Sequence, residues 1–282
     1  MKITRIETLE SATHTNLLWV QVHTDEGLVG LGETFFNPAP VAAYIHQAAA
    51  PYLLGQDPTA VERHHSVLDR GMAYRAIGAE ARGLSAIDIA LWDLFGQSAG
   101  LPIYRLLGGP VRDRIRIYNT CAGNGYNERS AKPGTGFADA WGLGDYQGQY
   151  EDLVAWLRDD RAADVARSLL EMGITAMKIW PFDQFADETG GLHIRPDQIE
   201  KGMRPFRQIR DAVGNHLCMA LPNAMIQEGV RAYYYGWYKD VLTELPSVER
   251  GFVAAPSGPG LGVRLRPDFV SRPDIARRVS DL

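Results

Sequence analysis

The first apolar pattern in the chain has a period of two. Leu17, Leu18, Trp19, Val20, Gln21, Val22, His23 and Thr24 lead into Asp25-Glu26-Gly27 and then Leu28 to Glu33, so an acidic, glycine-bearing turn between two β-rich runs predicts a hairpin. From Val41 to Leu68 the period becomes helical. It is interrupted at Gln56-Asp57-Pro58, where Asp57 is placed to cap a helix and Pro58 to occupy its first turn. A second helix sets Leu84, Ile87, Leu91, Leu94 and Phe95 three to four apart and stops near Gly100. Strands followed by helices predict a small α+β domain over residues 1–110.

Beyond Val111 the order changes to strand, helix, strand. Ile115 to Asn119 is a short β run, and residues 122–150 are glycine-rich without apolar period, which predicts a long loop. Helical spacing returns at Leu153, Leu157, Val165, Leu169 and Leu170, with Gly173 as its stop. Ile174 to Trp180 then reads as a strand broken by Pro181, and a further helix runs from Pro196 to Val213. Two successive strand–helix units predict parallel pairing. Leu217 to Leu221 could end a helix, Ala224 to Glu228 reads as a strand, and Arg231 to Tyr238 is rich in aromatics. The turn Ser257-Gly258-Pro259-Gly260-Leu261-Gly262 has no strand running into it and no lysine-bearing helix after it, so it is not a phosphate loop of the usual kind.

Composition narrows the partners more than the fold. The chain has 282 residues, 45% of them apolar and 22% charged, enough for one module and part of another. A net charge of −5 without any basic run argues against nucleic acid or an anionic membrane surface. The charged start, Met1 to Glu7, and the absence of an apolar run of ~20 residues predict a cytoplasmic protein. Cys121 and Cys218 lack both the spacing of a zinc site and the density of a disulfide scaffold, so each is expected to be a buried free thiol.

One long run is specific. Gly83 to Gln97, continuing through Leu101-Pro102-Ile103-Tyr104-Arg105-Leu106-Leu107-Gly108-Gly109, resembles the capping-domain helix and exit of the mandelate racemase/muconate lactonizing branch of the enolase superfamily. Gly30-Leu31-Gly32-Glu33-Thr34, the segment from Gly173 to Asp183, and Gly258 to Gly262 match the same family in the same order. The resemblance implies an α+β cap on a modified TIM (β/α) barrel, with magnesium stabilising an enediolate formed by removing the proton α to a carboxylate. The Lys178-Ile179-Trp180-Pro181-Phe182-Asp183 version of the second barrel strand is similar to members that dehydrate sugar acids, so the implied substrate is a small sugar acid.

The resemblance also assigns residues. Lys178 matches the first lysine of the family's Lys-x-Lys, where an ammonium can touch the substrate carboxylate, and Trp180 stands where the second lysine would be. Glu228 aligns with the eighth-strand glutamate that donates to the enediolate oxygen, a role requiring a raised pKa. Lys178 and Glu228 are therefore the expected catalytic residues, and His14, Asn119, Trp180 and Asp183 the expected substrate contacts.

The family's metal-binding carboxylates end its third to fifth strands, and its His-Asp pair lies on the seventh and sixth. Here the helix ending at Val213-Gly214-Asn215 runs straight into His216 to Asn223, which resembles the approach to the eighth strand. Residues 111–282 also fall well short of the ~250 of a complete barrel. The sequence therefore predicts a cap at 1–110, joined by a returning tail at 246–282, and an incomplete barrel at 111–245 with strands one, two and eight and a deletion near 215/216. Two functional readings follow: an acid-sugar dehydratase or racemase lineage impaired in this chain, which would not bind the magnesium its family uses, or a non-catalytic remnant serving as a binding or assembly module. The family further implies homo-oligomers.

Other chemistry-bearing residues have simpler explanations. His216 reads as a helix-end residue, and the adjacent His64 and His65 face different sides of a helix and share no metal. Trp19, Trp92, Trp237 and Tyr233-Tyr234-Tyr235 read as packing residues, and Glu80, Asp88 and Asp93 as solvated helix carboxylates.

Overall fold

A computed structural model describes the chain apart from residues 73–77, 128–140, 144–148 and 214–225. It divides into two compact units, one of Met1–Val111, Val241–Glu244 and Pro256–Leu282, the other of Arg112–Asp240 and Leu245–Ala255.

In the first unit β2 (Leu17–Thr24) and β3 (Val29–Phe35) form the expected hairpin, and β1 (Ile3–Ser11) lies antiparallel on the other side of β2. The chain then runs through α1 (Pro38–Tyr44), a π-helical turn (Ile45–Ala49), α2 (Ala50–Leu53), α3 (Val61–Met72), α4 (Ala79–Ala99) and α5 (Ile103–Leu106). Asp57 does not cap a helix. Its carboxylate accepts from the amide and hydroxyl of Thr59 at 3.0 and 2.8 Å, an Asx turn that delays the helix to Val61.

Helix α4 forms where the apolar spacing places it. Leu84, Ile87, Leu91 and Leu94 bury one face, and Gly100 ends the helix in the left-handed conformation at φ 66°. Its fit to the sheet depends on missing side chains. A Cβ at Gly30 would strike the Ala90 carbonyl, and one at Gly32 the Ala86 carbonyl, so β3 rides directly on the helix backbone. Leu18, Val20, Val22, Val41, Ile45 and Leu53 complete this core.

In the second unit β4 (Arg114–Thr120) leads to a 3-10 turn (Asn124–Asn127), the described start of the glycine-rich region. The single helix expected after it is two, α6 (Asp152–Leu157) and α7 (Ala162–Glu171), broken where Asp160 takes φ 62°. The strand expected over Ile174–Trp180 shrinks to β5 (Met177–Lys178), followed by a 3-10 turn (Asp183–Phe185) and α8 (Ala186–Thr189). Helix α9 (Pro196–Val213) has the expected span, while the sites of His216, Cys218 and the expected helix end at Leu217–Leu221 lie outside the described residues. Strand β6 (Ile226–Gly229) enters a π-helical turn (Tyr233–Trp237) and α10 (Tyr238–Val241), and β7 (Val248–Glu249) and β8 (Phe252–Ala254) form a small antiparallel pair.

The sheet of this unit is built on β4. Both β5 and β6 pair with it in parallel, and β8 pairs antiparallel to its beginning. The amides of Ile117, Asn119 and Cys121 bond in turn to Gly251, Ala176 and Lys178, so β8 and β5 share one edge of β4 and β6 takes the other. Ile117, Trp156, Val165, Leu169, Ile174 and Ile209 make the core between sheet and helices.

The tail returns to the first unit through α11 (Pro267–Val270) and β9 (Ile275–Asp281), which adds to β1 and completes the sheet order β3-β2-β1-β9. Phe269 of α11 packs edge-on against Trp19 at 5.0 Å between ring centroids. Asp93 is the anchor of this return, not a solvated helix carboxylate. It is buried in α4, accepts the amides of Leu31 at 2.9 Å and Leu261 at 2.7 Å, and meets Gln97 at 2.9 Å. Among the described residues no helix is long and apolar enough to cross a membrane.

Candidate active site at the carboxyl ends of the parallel strands

Register decides which side chains share a face. Tyr118 stands beside Glu228 and Thr120 beside Lys178, and parallel neighbours in register point the same way. One face of the β5-β4-β6 sheet thus presents Tyr118, Thr120, Lys178 and Glu228 at the carboxyl ends of its strands, the position where open and closed parallel sheets place ligands.

Lys178 Nζ and Glu228 Oε1 are 3.4 Å apart, each side chain about half exposed, and the Thr120 hydroxyl donates to the same Glu228 oxygen. Burial raises the Glu228 pKa, but the bonds from Thr120, Lys178 and Tyr118 outweigh it and hold the carboxyl below its ordinary value. The protonated, raised-pKa acid that the sequence led us to expect is therefore not what this arrangement produces: Glu228 is a carboxylate paired with an ammonium. A half-exposed pair of this kind contributes about 0–1 kcal/mol, so an incoming carboxylate can take the place of Glu228 opposite Lys178 without large loss.

Aromatic side chains wall the pair. Burial raises the pKa of Tyr126, which also feels the charges of Lys178, Asp183 and Glu228. Its ring meets Trp180 edge-on at 5.8 Å, and Trp180 in turn meets Trp141 at 6.0 Å and Trp156 at 5.3 Å. Trp180 thus sits as the hub of an aromatic cluster. Asp183 is exposed at the start of the 3-10 turn after β5. Tyr233, nearly buried, has its phenol pushed well above the ordinary range by burial, with Tyr126 and Glu228 adding to it.

The opposite face of β4 carries a second polar group. Asn119 is buried, donates to Asp152 Oδ2 at 2.9 Å and accepts the Arg231 amide at 2.9 Å. Arg231 meets Asp152 through Nη2 at 2.7 Å, reaches Ser168 at 2.9 Å and lies over the Tyr150 ring at 4.4 Å. The structure does not bring Asn119 together with Lys178 and Glu228. Its amide joins the strand that carries Glu228 to the helices behind the sheet.

His14 belongs to the first unit, in the β1–β2 connection. It is buried, its amide bonds to Ser11 Oγ at 3.2 Å, and burial, reinforced by Arg272 and opposed by Asp274, lowers its pKa to about 4. Cys121 is a buried free thiol whose pKa burial raises. The sequence reading missed Tyr118, Thr120 and Tyr126. The first two follow from the two-residue period of β4 once its neighbours are known, whereas Tyr126 lies in a glycine-rich stretch with no periodicity to mark it.

Magnesium is the ion the resemblance implies. Among the described residues no group of three or more His, Cys, Asp or Glu side chains could hold a metal, and the two carboxylates near the site are Glu228, paired with Lys178, and the exposed Asp183. This donor set does not fit the ion, and no chemical step is derived through it.

An α+β unit and a second unit whose parallel strands present a lysine and a glutamate at their carboxyl ends agree with the enolase-type resemblance read from the sequence. The family model for the mandelate racemase/muconate lactonizing enzyme N-terminal domain matches residues 5–108, and that for the enolase C-terminal domain-like region matches residues 215–269. A mandelate racemase-subgroup enolase structure from Agrobacterium tumefaciens is 30% identical, with a TM-score of 0.78, over 100% of this chain and 99% of the other. A D-mannonate dehydratase of Novosphingobium aromaticivorans is 32% identical over 187 residues, which are 60% of this chain and 46% of the relative. A D-galactonate dehydratase family member from Streptomyces bingchenggensis is 37% identical over 123 residues, 43% of this chain and 30% of the relative. The chain belongs to the mandelate racemase/muconate lactonizing branch of the enolase superfamily, and it spans less than half the length of these curated relatives.

Proposed function

We propose that the chain derives from a magnesium-dependent acid-sugar dehydratase, keeps the part of the site that holds the substrate carboxylate, and does not complete the reaction by itself. The observation that carries this is the Lys178–Glu228 pair across the ends of β5 and β6, with β4 between them. Lys178 would receive the carboxylate of a sugar acid such as mannonate or galactonate, the Thr120 and Tyr126 hydroxyls its adjacent oxygens, and the Trp180 cluster would exclude water from one side. Removing a proton α to that carboxylate leaves a second negative charge on it, and one ammonium does not balance both. An incomplete barrel is supported by the three parallel strands among the described residues and by the mere twelve residues of sequence, 214–225, that separate α9 from β6.

Titration calorimetry with D-mannonate and D-galactonate, with and without magnesium, tests this alongside an assay for the 2-keto-3-deoxy product. Binding that is independent of magnesium and weakened about tenfold or more in Lys178→Ala is expected, since a charge-assisted hydrogen bond contributes about 1.5–3 kcal/mol. No product should form. Product formation with magnesium would overturn the second half of the proposal, and absence of binding the first.

A further inference from the structure

One ammonium serves one carboxylate where β5 and β6 flank β4. Lys178 Nζ lies 3.4 Å from Glu228 Oε1, and the Thr120 hydroxyl donates to the same oxygen. Tyr118, beside Glu228 in the β4–β6 register, is a third donor to this carboxyl. Among the described groups that act most strongly on Glu228, Lys178 is the one cation. Two further titratable groups face it, Tyr126 from the turn after β4 and Tyr233 from the turn after β6, and Asp183 acts on the same Tyr126. The charges gathered here are therefore one positive, on Lys178, and two negative, on Glu228 and the exposed Asp183.

On the reading that Lys178 receives the carboxylate of a sugar acid, the ligand brings a third negative charge to the same ammonium. Its oxygen and that of Glu228 then stand within about 6 Å of each other, the range in which a like charge raises a carboxyl pKa. Glu228 does not escape this at no cost. Thr120 is buried in β4, the β4–β6 register fixes the Glu228 backbone, and turning the carboxyl into solvent gives up the bonds from Thr120 and Tyr118. The nearly buried Tyr233 and the rings of Tyr126 and Trp180 leave less water to screen the repulsion. Two carboxylates forced to share a site relieve the conflict by holding a proton. We propose that binding of a carboxylate at Lys178 is coupled to the uptake of one proton by Glu228. The proton comes from solvent, which reaches the half-exposed carboxyl, and the new O–H bond points a donor at the ligand. Lys178 and Glu228 then both donate, which matches a carboxylate, a group that only accepts. Without ligand the three donors keep Glu228 ionised.

Titration calorimetry of the full chain with D-mannonate, in magnesium-free buffers of different protonation enthalpy between about pH 7 and about pH 5, counts the protons. Glu228 titrates below its ordinary 4.5 without ligand and is expected to titrate higher with it, so uptake should grow as the pH falls through this interval and approach one proton per ligand. Affinity should rise in step, by up to about tenfold per pH unit where uptake is complete. Glu228→Gln keeps the shape and a donor but has no charge to neutralise. It should bind D-mannonate without proton uptake and with an affinity flat over the same interval. Carbon-detected NMR of the unaltered chain should show the Glu228 carboxyl moving toward its protonated position on saturation with D-mannonate. Binding without proton uptake, or equal uptake by Glu228→Gln, would overturn the coupling and leave the carboxylate-binding reading standing. Absence of binding overturns both. Should Glu228→Gln unfold the chain, the NMR shift decides.

Discussion

The Arg231 guanidinium and the Asp152 carboxylate meet at 2.7 Å with both side chains almost wholly buried. Removing one partner of such a pair strands a charge in the interior and typically costs about 3–5 kcal/mol. Asp152→Ala is therefore expected to destabilise the second unit by about that amount, measured by denaturant unfolding. The double variant Asp152→Leu, Arg231→Met should recover part of the loss. Since Arg231 follows Glu228 by three residues and its amide is held by Asn119, this pair fixes the strand that presents Glu228.

Lys178 and Glu228 form the opposite case, an ion pair at 3.4 Å that remains half in water. Lys178→Ala should change unfolding stability by less than about 1 kcal/mol. It should nevertheless raise the Glu228 pKa toward the ordinary carboxylate value, because the ammonium is one of the groups holding it down. Carbon-detected NMR titration of the glutamate carboxyls reads this directly. Thr120→Val should move the same carboxyl in the same direction, and an unmoved resonance in both variants would show that neither group acts on it.

The order of elements was legible because period and glycine placement are local properties. Helix α4 and the β2–β3 hairpin follow from Leu84 to Phe95 and from Leu17 to Glu33 alone. What escaped the sequence depends on partners distant along the chain. Strand β9 exists through its pairing to β1, Asp93 reads as a surface carboxylate until the Leu261 amide is brought to it, and Thr120 faces Lys178 only through the β4–β5 register. Glu228 was found by resemblance, but the family role implied a protonated acid, whereas its state here is set by Thr120 and Lys178. The local surroundings of a carboxyl, more than its alignment, decide its charge.

Gly32 shows how closely the cap is assembled. A Cβ there would overlap the Ala86 carbonyl of α4, and the contact is to backbone, which cannot rotate away. Gly32→Ala should therefore destabilise the first unit by about 1–3 kcal/mol or more, the range of overpacking in a close-packed core. Gly27→Ala is the informative comparison. That residue sits in the hairpin turn at φ 79° with nothing near its missing Cβ, so its cost is conformational alone. Thermal unfolding should place Gly32→Ala below Gly27→Ala, and the reverse order would refute the close approach of β3 to α4.

The cap should also lose stability in mild acid. His46 bridges Thr8 and Ser280 at 2.9 and 2.7 Å, linking β1 to β9 through the π-helical turn, and burial together with Arg278 lowers its pKa from 6.5 to about 4. His14 is lowered to about 4 as well, by burial first and Arg272 second. For a group whose folded pKa lies below its unfolded value, the unfolded state takes up protons first. The stabilisation it lends is thus complete above about pH 6.5 and is lost as the pH falls toward 4. The melting temperature of the chain should decline across that interval. His46→Gln, which keeps a donor and an acceptor for Thr8 and Ser280 but cannot be charged there, should reduce the slope, and His14→Gln with His46→Gln should reduce it further. A slope unchanged in the double variant would assign the acid sensitivity to another group titrating in that interval, such as His23, whose pKa burial also lowers, and not to these two histidines.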